Sequence, residues 1–149
     1  MRERISAALK EATLAQDKRR TSTLRLVSAA IKDRDIAART AGKDPVSDDD
    51  IAEILVKMIK QRIESTRLYE EGNRLDLAEQ EREEIAIIRT FLPEQLDEEQ
   101  VRSVCAEAVK ATGAHGLRDM GKCMQALKAR YSGRMDFGKA SAVVKGLLT

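Results

Sequence analysis

The chain has 149 residues, 42% of them hydrophobic but only 3% aromatic, so one domain or two small ones fit, with a core built from Leu, Ile, Val, Ala and Met. Its 27 Lys/Arg and 25 Asp/Glu nearly cancel to a formal +2, and with that apolar content they exclude a disordered polyelectrolyte. No run approaches the roughly 18 apolar residues of a membrane-crossing helix. Met1-Arg2-Glu3-Arg4 leads into a polar-interrupted pattern rather than an apolar signal stretch, so the expected home is the cytoplasm.

Ile5, Ala8, Leu9, Ala12 and Ala15 recur at the helical period and predict a first helix ending near Asp17. A second runs from about Ser22 through Leu24, Val27, Ala30 and Ile31 to about Arg39. It stops at Ala41-Gly42-Lys43-Asp44-Pro45, where glycine permits a left-handed residue and proline forbids continuation. Ser47 opens the third: its hydroxyl suits an orphan backbone N–H, Asp50 can reach back, and Asp48, Asp49 and Asp50 meet the positive end of the helix dipole. Ile51, Ile54, Leu55, Met58, Ile59 and Ile63 carry that helix to Tyr69, with closure at Gly72. The fourth, from about Arg74 to Phe91, turns Leu77, Ala78, Ile85, Ile88 and Leu92 inward and ends at Pro93.

Asp97 with Gln100 repeats the capping signature and opens a fifth helix with Val101, Val104, Cys105, Ala108 and Val109, closed by Gly113. Gly116 or its neighbour opens the sixth, with Leu117, Met120, Met124, Leu127 and Tyr131, closed by Ser132-Gly133. Asp136 caps the seventh, with Phe137, Ala140, Val143, Val144 and Leu147. The expected fold is all-α: an N-terminal helical domain of about four helices over residues 1–94 and a C-terminal three-helix bundle over 95–149. The tail is small enough that partial docking against the first four helices is expected.

Charge is divided along the chain. Met1 to Val46 carries +5, Ser47 to Leu96 −6, Asp97 to Thr112 −2, and Gly113 to Thr149 +5, the last from Arg118, Lys122, Lys128, Arg130, Arg134, Lys139 and Lys145 against Asp119 and Asp136. Such a distribution steers a phosphate-rich partner toward the ends; solvated helix faces are the alternative reading.

Chemistry that needs a positioned base finds little footing. The one histidine, His115, lies in the turn Gly113-Ala114-His115-Gly116 and reads as a solvated turn residue, since a triad also needs a nucleophile and an orienting acid in a cleft. Cys105 and Cys123 sit beside Val104 and Met124 in helix patterns and read as packing, not as metal ligands or nucleophiles. Asp48-Asp49-Asp50 is explained by capping and Glu81-Arg82-Glu83-Glu84 by a solvated face rather than by a divalent cation. No catalytic residue, metal site or cofactor is therefore assigned.

The sixth helix says more. Gly121 stands between Met120 and Lys122 where alanine is preferred by roughly 1 kcal/mol, which calls for close approach of another helix or of a sugar-phosphate. The turn Ser132-Gly133-Arg134-Met135-Asp136 leads a basic side chain to a helix N-terminus and suits a phosphate oxygen, although Asp136 at the cap weakens it. Tyr131 reads either as core or as a stacking platform.

Thr23-Leu24-Arg25-Leu26 with Ala30-Ile31-Lys32, the block Lys57-Met58-Ile59-Lys60-Gln61-Arg62-Ile63-Glu64-Ser65, Phe91-Leu92-Pro93-Glu94-Gln95-Leu96, and Asp119-Met120-Gly121-Lys122-Cys123-Met124 together resemble the GatB/YqeY family across essentially the whole chain. The resemblance implies two helical parts, the second similar to the tail of the B subunit of tRNA-dependent amidotransferases, which helps hold tRNA while other modules do the chemistry. It implies a tRNA-binding or tRNA-enzyme accessory protein, with an amidotransferase or an aminoacyl-tRNA synthetase as possible protein partner. Expected phosphate contacts are Lys122, Lys128, Arg130, Arg134 and Lys139, with Gly121 and Gly133 permitting close approach. The alternatives are a protein-interaction scaffold using the acidic third and fourth helices, and a carbon–nitrogen ligase with glutamine as amide donor, an activity that would be inherited from the larger subunit.

Overall fold

A computed structural model describes residues 1–149. The fold is all-α. Seven helices, α1 (Arg2–Leu14), α2 (Lys18–Thr40), α3 (Asp48–Glu71), α4 (Leu75–Arg89), α5 (Glu98–Thr112), α6 (Met120–Tyr131) and α7 (Phe137–Leu148), are joined by short loops and one 3-10 turn at Leu117–Asp119. The chain divides into two compact units, Met1–Pro93 and Glu94–Thr149, each with its own apolar core. No helix is long and apolar enough to cross a membrane.

Most boundaries follow from local capping chemistry. At Ser47 both halves of the capping box form: Asp50 N–H donates to the serine hydroxyl at 3.2 Å and Ser47 N–H donates to Asp50 Oδ2 at 3.1 Å. Asp97 and Gln100 repeat the exchange at 2.7 and 2.9 Å. Gly42, Gly113 and Gly133 all take positive φ at helix ends, the conformation in which a Cβ is penalised.

Two ends differ from the sequence reading. Asp17 does not finish α1 but caps α2, accepting Arg20 N–H at 3.1 Å, so α2 starts four residues earlier than Ser22 and includes the basic run Lys18-Arg19-Arg20. At the end of α3 the left-handed residue is Asn73 (φ 55°), not Gly72 (φ −82°); asparagine tolerates that region, and Arg74 N–H closes the helix on Tyr69 C=O at 2.8 Å.

In the first unit, Leu24, Val27, Ile51, Leu55 and Ile88 are fully buried and Ile5, Ile31, Ile85 and Phe91 nearly so. Burying each large aliphatic side chain contributes about 1.5–3 kcal/mol. The inward stripe of α4 holds one residue that periodicity assigned to a solvated face: Glu84 is buried and accepts Arg62 Nε–H at 3.1 Å, while Arg62 Nη1 donates to Met58 C=O at 3.2 Å. Both ends of that ion pair are nearly out of water, so it fixes the α3–α4 register more than it adds net stability. Beside it, burial and then the Glu84 carboxylate push the Glu81 pKa up. A second pair ties α1 to α2, with Arg2 donating to both oxygens of Asp35 at 2.7 and 3.0 Å.

In the second unit, Cys105, Cys123, Leu127, Ala140 and Val144 are sealed from solvent, with Met135 filling the turn before α7. Small residues at Cys105, Ala108 and Ala140 let three short helices approach closely around a core that has few large side chains.

Candidate nucleic-acid interface

Gly121, Lys122, Gln125, Lys128 and Ala129 form the exposed side of α6, away from Cys123 and Leu127, and Arg130 is exposed in its last turn. Helical geometry fans the three cations rather than stacking them. At about 100° per residue, Lys122 and Arg130 diverge by about 80°, whereas Lys128 points about 120° from Lys122 and about 160° from Arg130. On α7, Lys139 is exposed in the first turn and Lys145 in the last, about 120° apart. The cations of the tail therefore cover a broad convex area instead of a single row.

Aromatic rings hold several of them. Lys128 Nζ lies 5.8 Å from the Phe137 ring centre, and the guanidiniums of Arg130 and Arg134 lie 5.7 and 5.9 Å from that of Tyr131. These contacts attract a cation through the ring quadrupole without neutralising it. Tyr131 is half-buried and shared by two arginines, which fits a packing role better than a free stacking platform. Against the +5 of Gly113 to Thr149 stand the acids Glu94, Asp97, Glu98, Glu99 and Glu107, so the whole second unit has nine Lys/Arg and seven Asp/Glu.

Arg134 is only half-exposed and much of its hydrogen bonding is internal. Its Nε donates to Glu94 C=O at 3.1 Å, its N–H to Tyr131 C=O at 3.0 Å, and its own C=O accepts Leu96 N–H at 2.8 Å. It clamps the turn between α6 and α7 onto the segment entering α5. Gly133 belongs to the same clamp: it is buried at φ 75°, and its C=O accepts the Gln95 side-chain amide. The backbone conformation, not the approach of a phosphate, explains the glycine there.

The neighbouring-helix explanation of Gly121 does not hold. A Cβ built on it meets no atom within 4 Å, so neither a neighbouring helix nor a crowded backbone requires glycine at that position. Gly121 lies in the first turn of α6 on the solvent side, where the conformational penalty of glycine is small enough to tolerate.

The N-terminal approach to α6 is acidic rather than open. Asp119 accepts His115 N–H at 3.0 Å, and that bond, followed by the nearby Lys122 and Arg118 charges, holds its carboxyl below the usual range. Asp136 accepts Gly138 N–H at 2.9 Å and caps α7, which places a carboxylate at that helix's positive end. Cys105 and Cys123 are fully buried, and burial first, then the second thiol, raises the Cys105 pKa, the opposite of what a thiolate nucleophile needs. The use of tail cations against rings and carbonyls was missed in the sequence; the signal available was the nearness of Tyr131 and Phe137 to the basic cluster.

A family model described as Yqey-like protein matches residues 2–148. The chain is similar to "Altered inheritance of mitochondria protein 41, mitochondrial" of Clavispora lusitaniae, 33% identical over 98 residues covering 64% of this chain and 55% of that protein. The protein of the same name in Lachancea thermotolerans is 37% identical over 84 residues, covering 56% and 43%. An uncharacterized protein of Schizosaccharomyces pombe is 32% identical over 90 residues, covering 60% and 70%. The chain thus spans about half the length of the first two relatives. Their names overturn the cytoplasmic expectation, because these relatives are mitochondrial proteins.

Proposed function

We propose that this chain, which belongs to the Yqey-like protein family, is a tRNA-binding accessory protein that grips the phosphate backbone through its second unit and does no chemistry of its own. The observation that carries this reading is the exposure of Lys122, Lys128, Arg130 and Lys139 on α6 and α7, two of them oriented by aromatic rings that leave the charge intact. Arg134 and Gly133 serve as positioning residues that hold the α6–α7 turn, and Gly121 leaves the start of α6 unobstructed. A broad convex array suits a curved, sequence-independent backbone contact better than a base-reading groove. The mitochondrial names of the relatives support an organelle as the setting for such a protein.

The ligase alternative gains nothing from the two cysteines, both sealed in the tail core. The proposal is tested by titrating total tRNA against the protein over a range of salt. Four phosphate contacts predict that log affinity falls by roughly 3 per log unit of salt. Lys122→Gln/Lys128→Gln/Arg130→Gln/Lys139→Gln should lower the measured slope by about that amount. Absence of binding at low salt, or a slope unchanged in the quadruple variant, refutes it.

A further inference from the structure

The first unit carries a more regular cationic feature than the tail. Lys18, Arg25, Lys32 and Arg39 recur every seventh residue of α2, and all are exposed. Seven residues advance a helix by about 10.5 Å and rotate it by about −20°, so the four charges form one nearly straight stripe about 32 Å long. That length approaches one turn of a nucleic-acid double helix. Ser22, Ala29 and Ile36, all exposed, flank the row on one side and Thr21, Ser28 and Asp35 on the other; Asp35 is the one acid beside it, and no aromatic residue interrupts it. Asp33 sits about 100° round the helix from Lys32.

The stripe ends at a cavity of about 570 Å³ lined by Arg2, Lys32, Asp35, Ile36, Arg39, Lys43 and Pro45. Its one carboxylate, Asp35, is held by Arg2 through two hydrogen bonds and also accepts Val46 N–H at 3.0 Å, which leaves Lys32, Arg39 and Lys43 as the uncompensated charges. Fold stability does not call for this arrangement. Arg39 in the last turn complements the helix dipole, but Arg25 and Lys32 are in the middle of α2, and Lys18 opens it at the positive end with no acid in the first turn.

We propose that the Lys18–Arg25–Lys32–Arg39 stripe, with Lys43 at its end, is a second phosphate-backbone surface that takes the double-helical arm of a folded RNA. This rests on the RNA-binding reading above and extends it to the other unit. Lipid is disfavoured as the occupant because an interfacial helix must offer an apolar face to the bilayer, and Leu24, Val27 and Ile31 of α2 are already in the unit's core. Base stacking is disfavoured by the lack of aromatic side chains, so recognition falls on the backbone and is independent of sequence.

The test compares the salt slope of tRNA binding for four full-length proteins: wild type, the stripe variant Arg25→Gln/Lys32→Gln/Arg39→Gln, the tail variant above, and a charge-matched control, Lys10→Gln/Lys57→Gln/Arg89→Gln. The stripe variant should lower the slope by about 2 to 3 while the control keeps the wild-type slope. A wild-type slope in the stripe variant overturns this inference and leaves the tail reading standing. A slope lost in the stripe variant but kept in the tail variant supports the inference and removes the tail. Equal losses in the stripe variant and the control overturn it as a net-charge effect, and absence of RNA binding by the wild type, or binding to anionic vesicles alone, overturns both. Should the stripe variant fail to fold, RNA protection of Lys18 and Lys32 from acetylation on the wild-type chain decides the same question: protection supports the stripe, and unprotected lysines overturn it.

Discussion

Replacing Glu84 by alanine is the sharpest test of how the first unit is held. Arg62 and Glu84 side chains keep only 13% and 11% of their exposure, and their contact at 3.1 Å joins residues 22 apart in sequence across the α3–α4 hairpin. Removing the carboxylate leaves a guanidinium nearly out of water with Met58 C=O as its remaining hydrogen-bond partner. Breaking a buried pair this way costs about 3–5 kcal/mol. The lower end applies here, because Glu81 supplies a second carboxylate close enough to feel Arg62. A loss of about 3 kcal/mol lowers the melting temperature of a unit of this size by about 12 °C or more. Calorimetry, with hydrogen exchange on α3 and α4 amides to identify the transition, measures it. The double variant Arg62→Leu/Glu84→Leu should recover to within about 1 kcal/mol of wild type, since apolar replacements leave no stranded charge. A loss below about 1 kcal/mol in Glu84→Ala, or a double variant as unstable as the single, refutes the reasoning.

Three further outcomes follow from the same geometry. Burial raises the Glu81 pKa above its ordinary 4.5, so the folded state holds the proton more tightly and stability falls as pH rises from that value through the folded pKa; in Glu81→Gln, urea midpoints should lose this decline. The Asp35 carboxyl is lowered by its bonds to Arg2 and then to Val46 N–H, so its contribution is present above pH 3.8 and disappears as pH falls through the lower folded value; Asp35→Asn should be less stable at neutral pH and show a flatter acid limb. Chemical denaturation should separate the two tail glycines: Gly133→Ala, forced to φ 75°, costs about 1–2 kcal/mol, while Gly121→Ala, whose Cβ meets open space, gains about 0.5 kcal/mol.

The sequence was most legible where the determining interaction is local. Ser47 with Asp50 and Asp97 with Gln100 announce their helices because donor and acceptor are three residues apart. Asp17 was misassigned because the helix it caps begins with Lys18-Arg19-Arg20, which has no apolar period of its own; Thr21, Thr23 and Leu24 bury the start of α2 through tertiary packing. Glu84 was invisible for a related reason: a charged residue in an inward stripe reads as solvated until a partner is supplied from 22 residues away. At the candidate interface, composition located the cations but not their directions, and it hid the employment of Arg134 by Glu94 C=O. The α2 stripe needed both the seven-residue spacing and knowledge of which face of the helix is solvated.

Photocrosslinking in cells tests the central claim most directly. A photoreactive residue in place of Gln125, exposed on α6 between Lys122 and Lys128, should capture tRNA, and capture should disappear when Lys122, Lys128, Arg130 and Lys139 are neutralised. Recovery of a protein partner with no RNA attached, or of nothing at all, contradicts the account.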